Sequence, residues 1–155
     1  MTMPPNPCDV CLELVSNPLY LCGVREMVAQ ISRRLGFTDA QCAQIALAVD
    51  EALSNIMKHG YERRTDGRIW LKLKPTTDSK GQALEVVIED EAKQVDPCQI
   101  KGRNLEDIRP GGLGVHIIKE VMDEVRYEKR NGAGMRLTMI KRQSTTPPTP
   151  TTPKP

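Results

Sequence analysis

The chain has 155 residues, enough for one hydrophobic core and, once loose ends are set aside, too few for a second. Lys and Arg number 22 against 20 Asp and Glu, and a net charge of +2 supplies no field for nucleic acid or a membrane surface, so neither is expected as a direct partner. No apolar run reaches the roughly 18 residues of a membrane span, "MTMPPNPCDVC" lacks the parts of a signal peptide, and five scattered cysteines fit reduced thiols, so a cytoplasmic protein is expected.

Cys8 and Cys11 form one C-x-x-C, but no second pair or neighbouring His completes the ligand set zinc takes, and they read as small apolar side chains. "VCLELV" reads as a strand. In "SNPLYLCGVREMVAQISRRLG" Leu21, Val24, Val28, Ile31 and Leu35 recur at helical spacing, with Asn17 and Pro18 as start signals and Arg33, Arg34 and Gly36 as stop signals. Thr38 then stands three residues before Gln41, a capping box, and Ile45, Val49, Leu53 and Ile56 keep the helical period, so a second helix is predicted over residues 39–59.

The pattern changes after Gly60. Ile69, Leu71 and Leu73 alternate with Trp70 and Lys72, and Leu84, Val86 and Ile88 alternate with Glu85, Val87 and Glu89, two strands of a hairpin around a polar loop "PTTDSKGQ". Residues 96–110 are polar and without a period; "GGLGVHIIKEVM" then opens with glycines and turns helical through Val115, Ile118 and Met122. Two last strands are predicted near 124–128 and 135–141, before an ending "QSTTPPTPTTPKP" that offers a core nothing but proline rings. The expected organisation is a flexible N-terminus over 1–9, one domain over 10–142 and a disordered Pro/Thr-rich tail over 143–155. Helices and antiparallel strands in separate blocks indicate an α+β two-layer sandwich, a sheet covered on one face by helices.

Three segments carry chemistry. In "DEALSNIMKHG" Ile45, Val49, Ala52, Leu53 and Ile56 make one helical stripe, and Glu51, Asn55 and His59 make a polar row along its border, at the rim of the space between helix and sheet. Alone, such a row is most often a solvated flank. Asp90 ends an apolar strand, where a carboxylate can accept a hydrogen bond from an amino group on a buried base, although Asp also commonly starts turns. Gly111, Gly112 and Gly114 let the backbone approach a ligand, and the helix start after them presents free N–H groups to phosphate, although the segment is neither a P-loop nor a dinucleotide fingerprint.

In this order and on these elements, the segments resemble the ATP-binding domain shared by gyrase, heat-shock chaperones, sensor histidine kinases and MutL. Within that superfamily the chain is similar to the small bacterial anti-sigma-factor serine kinases. The resemblance runs from about Val10 to Arg142, and "EALSNIMKHGY" followed by "GGLGVHIIKEVMDEV" is its most specific part. It implies a Bergerat-type fold with a mixed, mainly antiparallel sheet, ATP and Mg²⁺ as cofactors, and these roles: Asn55 as metal ligand, Glu51 as general base, Asp90 as reader of the adenine amino group, and Gly111, Gly112, Leu113 and Gly114 around the phosphates. His59 matches a position that is often basic in the family, Ala92 stands beside the base, and residues 96–110 would form a lid in which Lys101, Arg103 and Arg109 are candidates for phosphate contact.

The partners implied are a phosphorylatable anti-anti-sigma protein, a sigma factor and a second copy in a homodimer. Two departures stand out: Ala92 replaces the family's usual glycine, and Met135 stands where many relatives have Thr. They motivate an alternative, a non-catalytic partner-switching module with a degenerate nucleotide site. A detached catalytic domain of a two-component histidine kinase ranks last, because His59 and His116 are the only histidines and neither sits on a preceding dimerisation helix.

Overall fold

Alternating apolar side chains build the sheet and decide which face is covered. The computed structural model describes residues 8–100 and 113–144. Five strands, β1 (Val10–Val15), β2 (Arg68–Asp78), β3 (Gly81–Asp90), β4 (Glu124–Lys129) and β5 (Met135–Arg142), lie in the order β1-β2-β3-β5-β4. Every pairing among the described residues is antiparallel, which simplifies the mixed, mainly antiparallel sheet expected from the sequence. Ile69, Leu71, Leu73, Leu84, Val86, Ile88, Leu137 and Met139 fall on one face and are buried in the core. Helices α1 (Leu21–Arg34), α2 (Asp39–Asn55) and α3 (Leu113–Val121) cover that face, with α2 between the other two. None of the helices among the described residues is long and apolar enough to cross a membrane.

Helix α2 is central because its apolar stripe, Ile45, Val49, Ala52 and Leu53, is wholly buried against the sheet. Its start is fixed by the capping box read from the sequence: Thr38 Oγ1 accepts from the Gln41 amide at 3.1 Å, and Gln41 Oε1 accepts from the Thr38 amide at 3.3 Å. Such a cap contributes about 0.5–2 kcal/mol. Gln41 Nε2 also donates to the Arg142 carbonyl at 3.0 Å, tying the helix start to the end of β5.

Two expectations are corrected. The second helix stops at Asn55 rather than His59, and residues Ile56–Gly60 form a single π turn closed by the Tyr61 amide on the Ile56 carbonyl at 2.8 Å. Tyr61 forces this wider turn because its own position is fixed from elsewhere. Its hydroxyl donates to the Arg68 carbonyl and accepts from the Glu91 amide, and its ring lies where a Cβ on Gly67 would fall 2.5 Å away. Single π turns of this kind are frequent beside functional sites.

The polar segment "PTTDSKGQ" is not a loop. Pro75, Thr76, Thr77 and Asp78 pair with Leu84, Ala83, Gln82 and Gly81, leaving Ser79 and Lys80 as the turn. Strand β1 pairs with β2 no further than Leu73, so Pro75 lies where β2 has become an edge and a missing N–H is tolerated. The Asp78 carboxylate accepts from the Lys80 amide at 2.8 Å, and Gly81 supplies the positive φ of 110° that completes the reversal.

Of the expected terminal segments, 1–7 and 145–155 lie outside the described residues. Gln143, at the start of the expected tail, is bonded to the fold: its amide donates to the Gln82 carbonyl at 2.9 Å and its Nε2 to the Leu35 carbonyl at 2.6 Å.

Candidate functional site

A cavity of about 320 Å³ opens where the end of α2 and the π turn face the ends of β3 and β5. Asn55 and His59 line it from the helix side, and Asp90 and Ala92 from the sheet side. The structure therefore brings together four of the residues singled out by sequence. Glu51 is not part of this wall. It lies one turn earlier on α2, against Gly114 of α3: a Cβ on Gly114 would fall 2.6 Å from Glu51 Oε2 and 3.2 and 3.4 Å from Asn55 Nδ2 and Oδ1. The missing side chain at Gly114 is what lets the first turn of α3 rest on the carboxylate and the amide together. Leu113, beside it, is exposed, while Gly111 and Gly112 lie outside the described residues, as do Lys101, Arg103 and Arg109.

Asp90 is 3% exposed, and the two oxygens of its carboxylate are used differently. Oδ1 accepts from the Ala92 amide at 2.9 Å and from the Met135 amide at 3.2 Å. Oδ2 accepts no hydrogen bond from the described residues, and Asp90 is part of the cavity lining. Burial pushes the Asp90 carboxyl above its ordinary range, against the two amides and the charge of Arg130, which pull it down. A buried acceptor with one uncommitted oxygen is suited to a ligand's N–H group, because leaving it unpaired costs free energy.

Neither departure from the family pattern damages this arrangement. Ala92 and Met135 both contact Asp90 through backbone N–H groups, which any non-proline residue supplies, and Ala92 has no positive φ that would demand glycine. The Ala92 methyl instead packs tightly against Gly60, where a Cβ would lie 3.0 Å from it.

Val115, Tyr127 and Leu137 also line the cavity; the sequence named Val115 only for its helical period and not the other two. The available signal was alternation, since Tyr127 and Leu137 are direct cross-strand partners on the helix-covered side of β4 and β5. Burial pushes the Tyr127 hydroxyl up to about 12, so it stays a protonated donor at neutral pH. Gln99 and Ile100, at the start of the expected lid, complete one wall. A short turn over Pro97–Gln99 places them, with Asp96 accepting from the Cys98 amide at 3.0 Å.

As a metal ligand the Asn55 amide offers a hard oxygen, and the Glu51 carboxylate lies beside it at Gly114. Mg²⁺ takes such ligands one or two at a time and fills the remainder with water and phosphate. The residues present therefore fit that ion.

An α+β sandwich with a cavity between sheet and helices is the fold of a known class, and the chain belongs to it: the family model of the histidine kinase-like ATPase domain matches residues 14–141. Within that class the chain is 24% identical over 135 residues to the serine-protein kinase RsbW of Bacillus subtilis, covering 82% of each protein. It is 27% identical over 136 residues to the serine-protein kinase RsbW of Listeria monocytogenes serotype 4a, covering 83% of this chain and 85% of that one. Among solved structures it resembles one from the SiaB-SiaC complex of Pseudomonas aeruginosa, with a TM-score of 0.64 at 12% identity over 86% of this chain and 89% of the other. It also resembles the structure of the RsbU and RsbW domains of a Mycobacterium tuberculosis protein, with a TM-score of 0.58 at 17% identity. That match covers 88% of this chain and 33% of the other, longer one. Both likenesses are of fold. The family and the α+β architecture expected from the sequence are thereby borne out.

Proposed function

We propose that the chain is an ATP-dependent protein serine/threonine kinase that phosphorylates an anti-anti-sigma partner and, when that partner is unavailable, sequesters a sigma factor. A homodimer belongs to the same reading. The observation that carries it is the meeting of Glu51, Asn55 and Gly114 beside a cavity whose wall holds the half-committed Asp90 carboxylate. The serine-protein kinase name of its curated relatives supports it.

In this reading Asp90 Oδ2 accepts the adenine amino group, and guanine, with a keto oxygen at that place, is disfavoured. The first turn of α3 and the glycines at 111, 112 and 114 receive the phosphates at a helix N-terminus. Asn55 would hold Mg²⁺ through its amide oxygen, and the ion would supply positive charge to neutralise the phosphates. Glu51 takes the proton from the attacking hydroxyl. His59 is exposed and lines the same cavity. The non-catalytic alternative rested on Ala92 and Met135, whose amides both still serve Asp90, so the catalytic reading is preferred.

Calorimetry tests the binding half directly. The wild-type protein should bind ATP more tightly than GTP and more tightly with Mg²⁺ than without, and Asn55→Ala should remove about 10-fold of affinity, mostly the Mg²⁺-dependent part. Equal binding of ATP and GTP, or no Mg²⁺ dependence, would count against the reading. Phosphotransfer is tested by Gly114→Ala. The added methyl needs space now occupied by Glu51 Oε2, so turnover should fall about 10²-fold through misplacement, and a rate within twofold of wild type would remove Gly114 from the site.

A further inference from the structure

Arg130 joins the open face of the sheet to the cavity wall. It follows β4 and opens the tight connection to β5, its amide donating to the Gly134 carbonyl at 3.0 Å. Its guanidinium makes three contacts at once. Nη1 donates to the main-chain carbonyl of Asp90 at 2.6 Å, Nε lies 3.2 Å from Glu89 Oε2, and the plane sits 5.2 Å from the centre of the Trp70 ring. The connection itself is pressed onto the same point. Gln94 Nε2 donates to the Arg130 carbonyl at 2.7 Å and the Gly134 carbonyl at 3.2 Å. A Cβ on Gly134, whose φ is 85°, would fall 1.8 Å from the Asp90 carbonyl oxygen.

We propose that Arg130 is a positioning residue for base recognition: it fixes the end of β3 so that the Asp90 carboxylate keeps Oδ1 on its two backbone donors and presents Oδ2 to the purine. The proposal rests on the base-reading role given to Asp90 above. The bond to the carbonyl fixes the backbone from which the carboxylate projects. The contacts with Glu89 and Trp70 hold the guanidinium in place, so it costs little further ordering when nucleotide binds. Arg130 also acts on Asp90 through charge, opposing the burial that pushes the carboxyl up. Among the other titratable groups close by, Tyr61 keeps its proton, burial raising its hydroxyl, and Glu91 follows Asp90 in the chain with its amide on that hydroxyl. Glu89 retains Lys72 at 2.9 Å and Arg136 at 3.4 Å when Arg130 is removed, so an Arg130 variant leaves no unpaired carboxylate on the open face.

The test is equilibrium binding of ATP and of inosine triphosphate to the full chain. The inosine base carries an oxygen where adenine carries its amino group, so the ratio of the two affinities reads Asp90. Arg130→Met should weaken ATP by about 10-fold, the scale of one hydrogen bond to a charged partner, and inosine triphosphate by less than about twofold. The pH at which ATP affinity falls on the acid side should move upward. Arg130→Lys should restore that pH but not the full ratio, because an ammonium cannot make both bonds and the stack. It also carries the test if Arg130→Met melts too low to measure. Adding Arg130→Met to Asp90→Asn should leave the ratio where Asp90→Asn puts it. Equal loss for both nucleotides, or a wild-type ratio in Arg130→Met, overturns the proposal while the role of Asp90 stands. A wild-type ratio in Asp90→Asn overturns both.

Discussion

Glu51→Ala should abolish phosphotransfer while leaving ATP bound: turnover falls by about 10²–10⁴-fold, the usual contribution of a positioned general base, and the dissociation constant for ATP changes by less than about threefold. The split follows from where Glu51 stands. It is four residues before Asn55 on α2, with Oε2 against Gly114, and it contributes nothing to the cavity wall around Asp90. An interaction made only with the reacting hydroxyl is one the bound nucleotide does not feel. Glu51→Gln is the sharper variant, because it fills the same space beside Gly114 and lacks only the basic oxygen. Single-turnover transfer from labelled ATP to a phosphorylatable partner measures the first quantity and calorimetry the second. Should Glu51→Gln transfer phosphate at the wild-type rate, Glu51 is a packing residue and the base must be sought elsewhere.

The spacing that suggested Glu51 and Asn55 was legible because it is local. A helix started by the Thr38–Gln41 box and buried along Ile45, Val49 and Leu53 fixes the phase of every residue up to Asn55. Beyond Asn55 the phase is set by Tyr61, whose hydroxyl is held by Arg68 and Glu91 and whose ring is held by Gly67. Those contacts come from distant strands, so the widened turn under His59 left no trace in the local pattern. The paired segment at "PTTDSKGQ" was hidden for a related reason. Its residues are polar because they lie where β2 runs past the end of β1, and polarity in an edge strand looks like polarity in a loop.

Asp90 was legible only as an acid at a strand end. What makes it distinctive is that one oxygen is taken by the amides of Ala92 and Met135, the second of them 45 residues away. Arg130 carried no signal at all, since its three contacts reach Trp70, Glu89 and Asp90 across the sheet. Periodicity finds residues that share an element. It does not find residues that share a site through tertiary contact.

Asp90→Asn should invert the purine preference rather than merely weaken binding. Oδ1 already serves two N–H donors, so an amide at this position must turn its oxygen toward Ala92 and Met135 and its NH₂ toward the cavity. A donor then faces the adenine amino group. ATP loses a hydrogen bond to a charged acceptor and meets an unsatisfied contact, a fall of about 10²-fold, while a keto purine finds a donor and gains affinity. Competition binding with ATP and inosine triphosphate reads the inversion. Parallel losses for both would mean that Asp90 supports the fold and does not read the base.

The pH dependence follows from the same group. Burial raises the Asp90 carboxyl, so wild-type ATP affinity should decline on acidification at a higher pH than an ordinary carboxylate would set, and the Asp90→Asn profile should be flat there. The stability effect has the opposite sense. Because the folded chain holds this proton more readily than the unfolded chain, the contribution of Asp90 to stability is complete below the unfolded pKa and is lost as pH rises through the folded pKa. At neutral pH the buried charge is therefore a burden on the fold, and Asp90→Asn should melt at a higher temperature than wild type near pH 7, with the gain vanishing in acid. A carboxylate that burial pushes toward its protonated form, and that two amides nevertheless hold in place, is the kind of group a ligand needing it ionised would use.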